Sequence, residues 1–225
     1  MKKIDKTDFL EKSKKTLEEI IDMLEKLPSI RLNDLNQKKS ALVIIDMING
    51  FIKEGALKSS RVEEIILDIA KLSATCDRLG IQKIAFADCH TEESPEFEAY
   101  PMHCIKGSYE AEIVDEIKKV GGYRLIEKNS TNGFLEEEFT RWLSENKEID
   151  TFILTGDCTD ICVLQFAITL KTWFNMKNIK ARVIVPIDCV ETYDLGMHDA
   201  YLMNVMALYN MIINGVEVVK TIKDI

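Results

Sequence analysis

Six short apolar runs, rich in β-branched residues, recur along this chain and alternate with segments of helical periodicity. The runs cover residues 41–46, 81–88, 123–127, 151–156, 181–188 and 216–221, and the helical segments between them cover 60–79, 108–120, 134–146, 160–176 and 196–213. Each run is too short for a free-standing helix and is typical of a strand buried on both faces. The alternation predicts an α/β fold, a three-layer sandwich in which a six-stranded parallel sheet has helices on both faces.

The first 38 residues differ from the rest of the chain. Residues 8–27 carry leucines and isoleucines at helical spacing, and this pattern ends before Pro28. A polar stretch follows over residues 33–40. We therefore predict an N-terminal helical extension over residues 1–38, which packs on the domain or on a neighbouring subunit, and a single domain over residues 39–225.

The chain is acidic, with a net charge of -9, and this disfavours nucleic acid and anionic membranes as partners. No apolar run reaches the roughly 18 residues that a membrane span needs. The basic amino terminus is not followed by the apolar stretch of a secretory signal. The six cysteines are spread over the chain, as buried thiols are in a reducing compartment. We expect a cytoplasmic protein.

Polar residues with chemical potential follow the predicted strands. In parallel sheets, ligands bind at the carboxyl ends of the strands. These ends carry Asp46, Asp88 with His90, Lys128, the loop 156–162 and Asp188. They are therefore the first places to look for a site.

Cys162 lies where a buried strand passes into an amphipathic helix. Thr159 and Asp160 are good N-caps, which places Cys162 in the first helical turn. There, unpaired backbone N–H groups favour a thiolate and can hold an oxyanion. The position indicates a nucleophile, and the alternative is a small buried cysteine without chemistry.

Asp46 and Lys128 each end an apolar strand, where a charged side chain needs a partner if it is buried. A thiol, a carboxylate and an ammonium at one sheet edge suit a nucleophile, a proton carrier and an electrostatic partner. The alternative is a structural ion pair between Asp46 and Lys128.

The loop after the second strand holds two of the three histidines of the chain, His90 and His103. Asp88 and His90 stand two residues apart at the strand end, and His103 can fold back toward them. Two imidazoles with one or two carboxylates suit zinc, iron or manganese. The alternative is a set of polar side chains on a long surface loop.

Together these segments resemble the isochorismatase-like cysteine hydrolases, and within that family the nicotinamidase branch. The matching motifs are VIIDMINGF at 43–51, DCH at 88–90, YPMHC at 100–104, EK at 127–128 and TGDCTDICV at 155–163. The resemblance covers about residues 39–221. Each motif is weak alone, but five in the right order, each at a strand end, are specific.

The resemblance implies a Cys-Asp-Lys triad. Cys162 is then the nucleophile that forms a thioester, Asp46 the general acid and base, and Lys128 the partner of Asp46. The oxyanion is expected on the backbone N–H groups of Cys158 and Cys162. The family often has a cis peptide just ahead of the first of these, here between Asp157 and Cys158.

The resemblance also implies one divalent metal, zinc first, with iron or manganese as alternatives. Its ligands are expected to be Asp88, His90, His103 and Glu96, with Glu98 as a substitute for Glu96. Phe51 and Tyr100 match the ring-stacking positions. The implied substrate is a small-molecule amide, nicotinamide, hydrolysed in NAD salvage, and the family often forms homo-oligomers. His198 matches no motif and is interpreted as a surface or packing residue in a helix.

Two other functions stay open from the sequence. The first is hydrolysis of another small amide, such as a ureido or carbamoyl compound, by a metal-free relative, which the paired histidines disfavour. The second is a catalytically silent member that acts as a binding or scaffold protein through its N-terminal helix.

Overall fold

The computed structural model describes residues 4–223. The strands are β1 (Ile30–Arg31), β2 (Ser40–Ile45), β3 (Gln82–Asp88), β4 (Arg124–Lys128), β5 (Thr151–Asp157), β6 (Arg182–Pro186), β7 (Val190–Glu191), β8 (Glu217–Val219) and β9 (Ile222–Lys223). The helices are α1 (Lys6–Glu25), α2 (Asn49–Ile52), α3 (Ser60–Glu64), α4 (Ile66–Leu79), α5 (Asp115–Val120), α6 (Glu137–Glu145), α7 (Leu164–Met176) and α8 (Ala200–Ile213).

The main sheet has the strand order β4-β3-β2-β5-β6-β8, and its neighbouring strands are parallel. Every residue of β2 and β5 is buried, as apolar strands covered on both faces must be. One apolar cluster joins α1, α6, α7 and α8 to one face, and a second joins α4 and α5 to the other. The predicted three-layer α/β sandwich is thus confirmed. Its sheet gains a seventh, two-residue strand, because β7 pairs with the end of β5.

The predicted helix over 108–120 is wrong in its first half. Helical structure there starts only at Asp115, after a short 3₁₀ turn at Tyr109–Ala111. The backbone just before it pairs instead with the segment that follows β2: Val114 N–H donates to Met47 O, and Ile113 forms a β-bridge with Ile48. The predicted helix over 60–79 is divided at Ile65 into α3 and α4.

Helix α1 is amphipathic and buries Ile20 and Leu24. These side chains join the same apolar cluster as Leu208 and Met211 of α8. The chain that follows α1 forms β1, which pairs in parallel with β9 near the carboxyl end. The division between an extension and a domain at residue 38 stays a prediction. Among the described residues, no helix combines the length and apolar character needed to cross a membrane.

Candidate active site

The carboxyl ends of four neighbouring strands bring the predicted residues together. Asp46 follows β2, Asp88 ends β3, Lys128 ends β4, and the segment 158–162 follows β5. Strands β2 and β5 are adjacent where the strand order reverses, which is where open α/β sheets form a crevice. Asp188 lies in the 3₁₀ turn Ile187–Cys189 that follows β6; it is exposed, and the structure does not bring it into this group.

Gly156 allows β5 to approach β2 closely at this edge. Its φ is +115°, and a Cβ atom there would lie 1.8 Å from the backbone oxygen of Ile45. Both the backbone angle and the contact therefore require glycine. This approach brings the residue after β2, Asp46, next to the loop that leaves β5.

Lys128 lies at the buried centre of the site. Its Nζ is 2.8 Å from Asp46 Oδ2 and 3.7 Å from Cys162 Sγ, and it also donates a hydrogen bond to Asp88 Oδ1. All four side chains are buried. An ammonium in such a position needs paired carboxylates to offset its lost hydration. The thiol, the acid and the amine thus meet, although Cys162 and Asp46 are more than a hundred residues apart.

The two carboxylate oxygens of Asp46 have different partners, Lys128 at Oδ2 and a backbone N–H at Oδ1. Its Oδ1 accepts a hydrogen bond of 3.1 Å from the backbone N–H of Asp88. Its own backbone has a φ of +55°, a region that non-glycine residues seldom occupy. Such outliers concentrate at functional sites, and this one supports a functional role for Asp46.

Burial and the neighbouring charges of opposite sign act in opposite directions on the pKa values of Asp46, Cys162 and Lys128, and the balance suits proton transfer. Burial raises the pKa of Asp46 to about 7, although the charge of Lys128 acts against this rise. Burial likewise raises the pKa of the Cys162 thiol, with Lys128 again opposing. Burial disfavours the charged form of Lys128, but Asp46 and Asp88 outweigh it and hold its pKa well above the usual range. Desolvation thus acts against the Cys162 thiolate that the helix start is expected to favour. The thiol needs a proton acceptor.

The segment that carries Cys162 also differs locally from the predicted helix start. Residues Thr159–Val163 form a π-helical turn, and α7 begins only at Leu164. The residue at the N-cap is Cys158 rather than Thr159 or Asp160. The peptide bond that precedes Cys158 is cis, as the resemblance implied.

A second group of side chains lies beside the triad, with ligand-capable atoms all within 4.8 Å of one another; it consists of Asp88, His90, Glu96 and His103. The Nδ1 atom of His90 faces Asn129 Oδ1 at 3.1 Å, and that of His103 faces the Pro101 carbonyl at 2.8 Å. With Nδ1–H directed to these acceptors, the Nε2 lone pairs of both rings are available to a metal. His90 Nε2 is buried and has no hydrogen-bond partner in the described part of the chain.

Glu96 and Glu98 were alternatives for the fourth ligand. The Oε1 atom of Glu96 lies 3.9 Å from His90 Nε2. Glu98 is exposed, and no ligand group within residues 4–223 includes it. The geometry thus favours Glu96.

One cavity connects the two groups, and its walls are Phe51, Leu57, Asp88, Glu96, Tyr100, His103, Thr131, Cys158, Ile161, Cys162 and Tyr193. The predicted stacking residues Phe51 and Tyr100 both contribute rings, with centroids 5.7 and 6.2 Å from that of His103. Leu57, Thr131, Ile161 and Tyr193 were not predicted, because a single residue of these types carries no signal of its own.

The sequence interpretation also missed two features around the triad. Asp157 is buried behind it, and its Oδ1 has no hydrogen-bond partner among the described residues. His198 does not lie in a helix as expected, since α8 begins two residues later, and it bonds to Asp160 of the nucleophile turn.

Comparison with known proteins gives consistent matches. The family model for the isochorismatase domain matches residues 40–216. Nicotinamidase 1 of Arabidopsis thaliana is 31% identical over 207 residues, which cover 81% of this chain and 83% of the relative. Among solved structures, N-carbamoylsarcosine amidase from Thermoplasma acidophilum has a TM-score of 0.65 and 29% identity, covering 80% of this chain and 95% of its own.

A more distant structure agrees in fold. Pyrazinamidase of Pyrococcus horikoshii, solved in complex with zinc, has a TM-score of 0.67 at 21% identity, covering 80% of this chain and 98% of its own. The match of the family model spans well over half of the chain and includes the strand ends that carry Asp46, Lys128 and Cys162. The protein therefore belongs to the isochorismatase family.

Proposed function

We propose that this protein is a nicotinamidase, which hydrolyses nicotinamide to nicotinate and ammonia. The observation that carries the proposal is that one cavity is lined both by Cys162, which lies beside the Lys128–Asp46 pair, and by Asp88, Glu96 and His103 of the second group. The first group suits attack on an amide carbonyl. The second suits recognition of a ring with a basic nitrogen.

In the first half of the reaction, the Asp46 carboxylate accepts the proton of the Cys162 thiol. The sulfur then attacks the amide carbon, and the carbonyl oxygen takes up the negative charge. We assign the backbone N–H groups of Cys158 and Cys162 to this oxyanion. Asp46 returns its proton to the leaving nitrogen, the C–N bond breaks, ammonia departs, and a thioester remains on Cys162.

In the second half, Asp46 accepts a proton from a water molecule, whose oxygen attacks the thioester carbon. The C–S bond breaks, the sulfur regains the proton, and nicotinate leaves. A carboxyl that passes protons both ways works best with a pKa near the working pH, and burial brings the pKa of Asp46 to about 7. Lys128 stabilises the charged form of Asp46 and holds it beside the sulfur.

The residues around His90 fit a divalent metal. The buried Nε2 of His90 has no protein partner within the described residues, and imidazole and carboxylate ligands together suit zinc, with iron or manganese as alternatives. Asp88, His90, Glu96 and His103 would hold the ion. The chemistry that such an ion supplies when bound is ligation of the pyridine nitrogen, which orients the ring. Phe51 and Tyr100 would pack against that ring.

A second candidate is hydrolysis of a carbamoyl compound, which the similarity to N-carbamoylsarcosine amidase favours. The metal-binding group distinguishes the two, because a ureido substrate offers no aromatic nitrogen to ligate. NAD salvage, a cytoplasmic location and homo-oligomers remain proposals that accompany the first candidate.

The decisive experiment measures ammonia release from nicotinamide, pyrazinamide and N-carbamoylsarcosine, together with the metal content of the purified protein. We expect release from the two aromatic amides and about one divalent ion per chain. Release from N-carbamoylsarcosine alone, without bound metal, would establish the second candidate instead.

Variants of two cysteines test the nucleophile. Cys162→Ala should abolish ammonia release while circular dichroism and the melting temperature stay near those of the parent protein. Cys189→Ala is the matched control, because Cys189 is also buried but does not line the cavity, and it should keep its activity. Equal activity of Cys162→Ala and the parent would end the enzyme hypothesis.

A further inference from the structure

His198 links two parts of the site that are distant in sequence. Its Nδ1 lies 2.8 Å from the backbone oxygen of Tyr193, and its Nε2 lies 2.8 Å from Asp160 Oδ2. Both nitrogens thus face acceptors, and the ring can satisfy both when each nitrogen carries a proton. A side chain held at two points in this way has little freedom to move.

The ring of Tyr193 rests on that of His198. The two rings are stacked, with centroids 4.0 Å apart and an interplanar angle of 7°. Residues Leu195 and His198 exchange two backbone hydrogen bonds, which close the turn between them. The position of the Tyr193 ring is therefore fixed by His198 through both the backbone and the side chain.

Tyr193 forms a wall of the catalytic cavity together with Cys158 and Cys162. It also lines an outer groove, and Leu57 is the other residue common to the cavity and the groove. These two side chains thus form a wall that the catalytic cavity and the outer groove share.

Asp160 completes the link on the other side. It belongs to the turn Thr159–Val163, two residues before Cys162. Its second carboxylate oxygen, Oδ1, accepts a hydrogen bond of 2.7 Å from Thr192 Oγ1. The segment 192–198 is thus attached to the nucleophile turn at both ends through this one carboxylate.

We propose that Tyr193 is a specificity-determining residue of the substrate cavity, and that His198 is the positioning residue that fixes it to the nucleophile turn. The proposal deepens the nicotinamidase assignment and rests on it for the choice of a flat aromatic amide as substrate. Tyr193 packs against the ring and excludes larger ones, and His198, anchored on Asp160, acts on the substrate only through Tyr193.

The kinetic test compares nicotinamide with quinoline-3-carboxamide, which carries a second fused ring. Tyr193→Ala should raise the KM for nicotinamide about tenfold, since an aromatic contact of this kind contributes at that level. It should also lower the ratio of kcat/KM for nicotinamide to kcat/KM for quinoline-3-carboxamide. Tyr193→Phe keeps the ring and should behave like the parent. An unchanged KM and preference in Tyr193→Ala would overturn the specificity role.

A double-mutant cycle tests whether His198 acts through Tyr193. His198→Ala should raise KM roughly three- to tenfold in the parent but have little further effect in the Tyr193→Ala background. Met197→Ala is the matched control, because Met197 is adjacent and 97% exposed. Additive effects of the two substitutions would refute the positioning role. If the parent hydrolyses another amide but not nicotinamide, the proposed function fails, and the same cycle is run with that amide.

A measurement without substrate keeps the positioning role testable in every case. In hydrogen–deuterium exchange, His198→Ala should increase uptake both in peptides covering 158–163 and in those covering 190–195, whereas Met197→Ala should change neither. Uptake equal to that of the parent in both segments would overturn the link. His198→Gln, which keeps one donor to Asp160, should restore protection to the first segment more than to the second.

Discussion

Replacing Asp157 with asparagine should stabilise the protein, and increasingly so as the pH rises. The Asp157 carboxyl is 1% exposed, and its Oδ1 has no hydrogen-bond partner among the described residues. Burial, and next the nearby charge of Asp46, raises the pKa of Asp157 well above its usual value of 3.8. The folded protein thus keeps this carboxyl protonated over a pH range in which the unfolded chain releases the proton.

The size of the effect follows from proton linkage. Above the unfolded pKa of 3.8, the unfolded state binds fewer protons than the folded state, so the free energy of unfolding falls by about 1.4 kcal/mol per pH unit. The loss stops once the pH passes the raised pKa of the folded state. Asparagine has nearly the same shape and does not ionise, so the variant is spared this loss. For a chain of this size, its melting temperature should gain about 3–6 °C over the parent for each pH unit.

The assay is thermal unfolding of the parent and Asp157→Asn between about pH 4.5 and 7.5, a window that begins above the unfolded pKa of the carboxyl. Asp188→Asn is the matched control, because Asp188 also follows a strand of the sheet but is exposed. We expect a gap in melting temperature that widens with pH for Asp157→Asn and stays constant for Asp188→Asn. A gap independent of pH would refute the reasoning, since it would mean that the buried carboxyl does not remain protonated.

Three further substitutions test the site and the packing. Lys128→Met should abolish amide hydrolysis and lower the free energy of unfolding in urea by about 3–5 kcal/mol, because two buried carboxylates lose their shared cation; an unchanged midpoint would contradict this. Gly156→Ala should prevent soluble folded expression, since its Cβ would lie 1.8 Å from a backbone oxygen of β2, whereas Gly80→Ala, with no atom within 4 Å of the added Cβ, should still fold. Leu24→Ala should destabilise the protein by about 2–4 kcal/mol through the cavity it leaves, while Leu10→Ala, on the exposed side of α1, should change stability little; equal effects would show that α1 does not pack as described.

The proposed metal-binding group shows how much of a site the local sequence can suggest. Asp88 and His90 were predictable because they stand two residues apart at the end of an apolar strand, and His103 because it lies in the same loop. The choice of Glu96 over Glu98 came from the resemblance and not from the local pattern, because both lie in one short 3₁₀ turn, Pro95–Glu98. The direction in which that turn presents each side chain depends on how the loop packs on the site.

The sequence by itself determined the layer architecture and the strand ends that carry Asp46, Lys128 and Cys162, because strand and helix periodicities and buried charges are local properties that can be counted along the chain. Only the tertiary structure decided that Asp88 also pairs with Lys128, and that His198 reaches Asp160 across 38 residues. The physical reason is the strand order. An alternation of strands and helices does not specify which strand ends become neighbours, and contacts within 3 to 4 Å depend on that order.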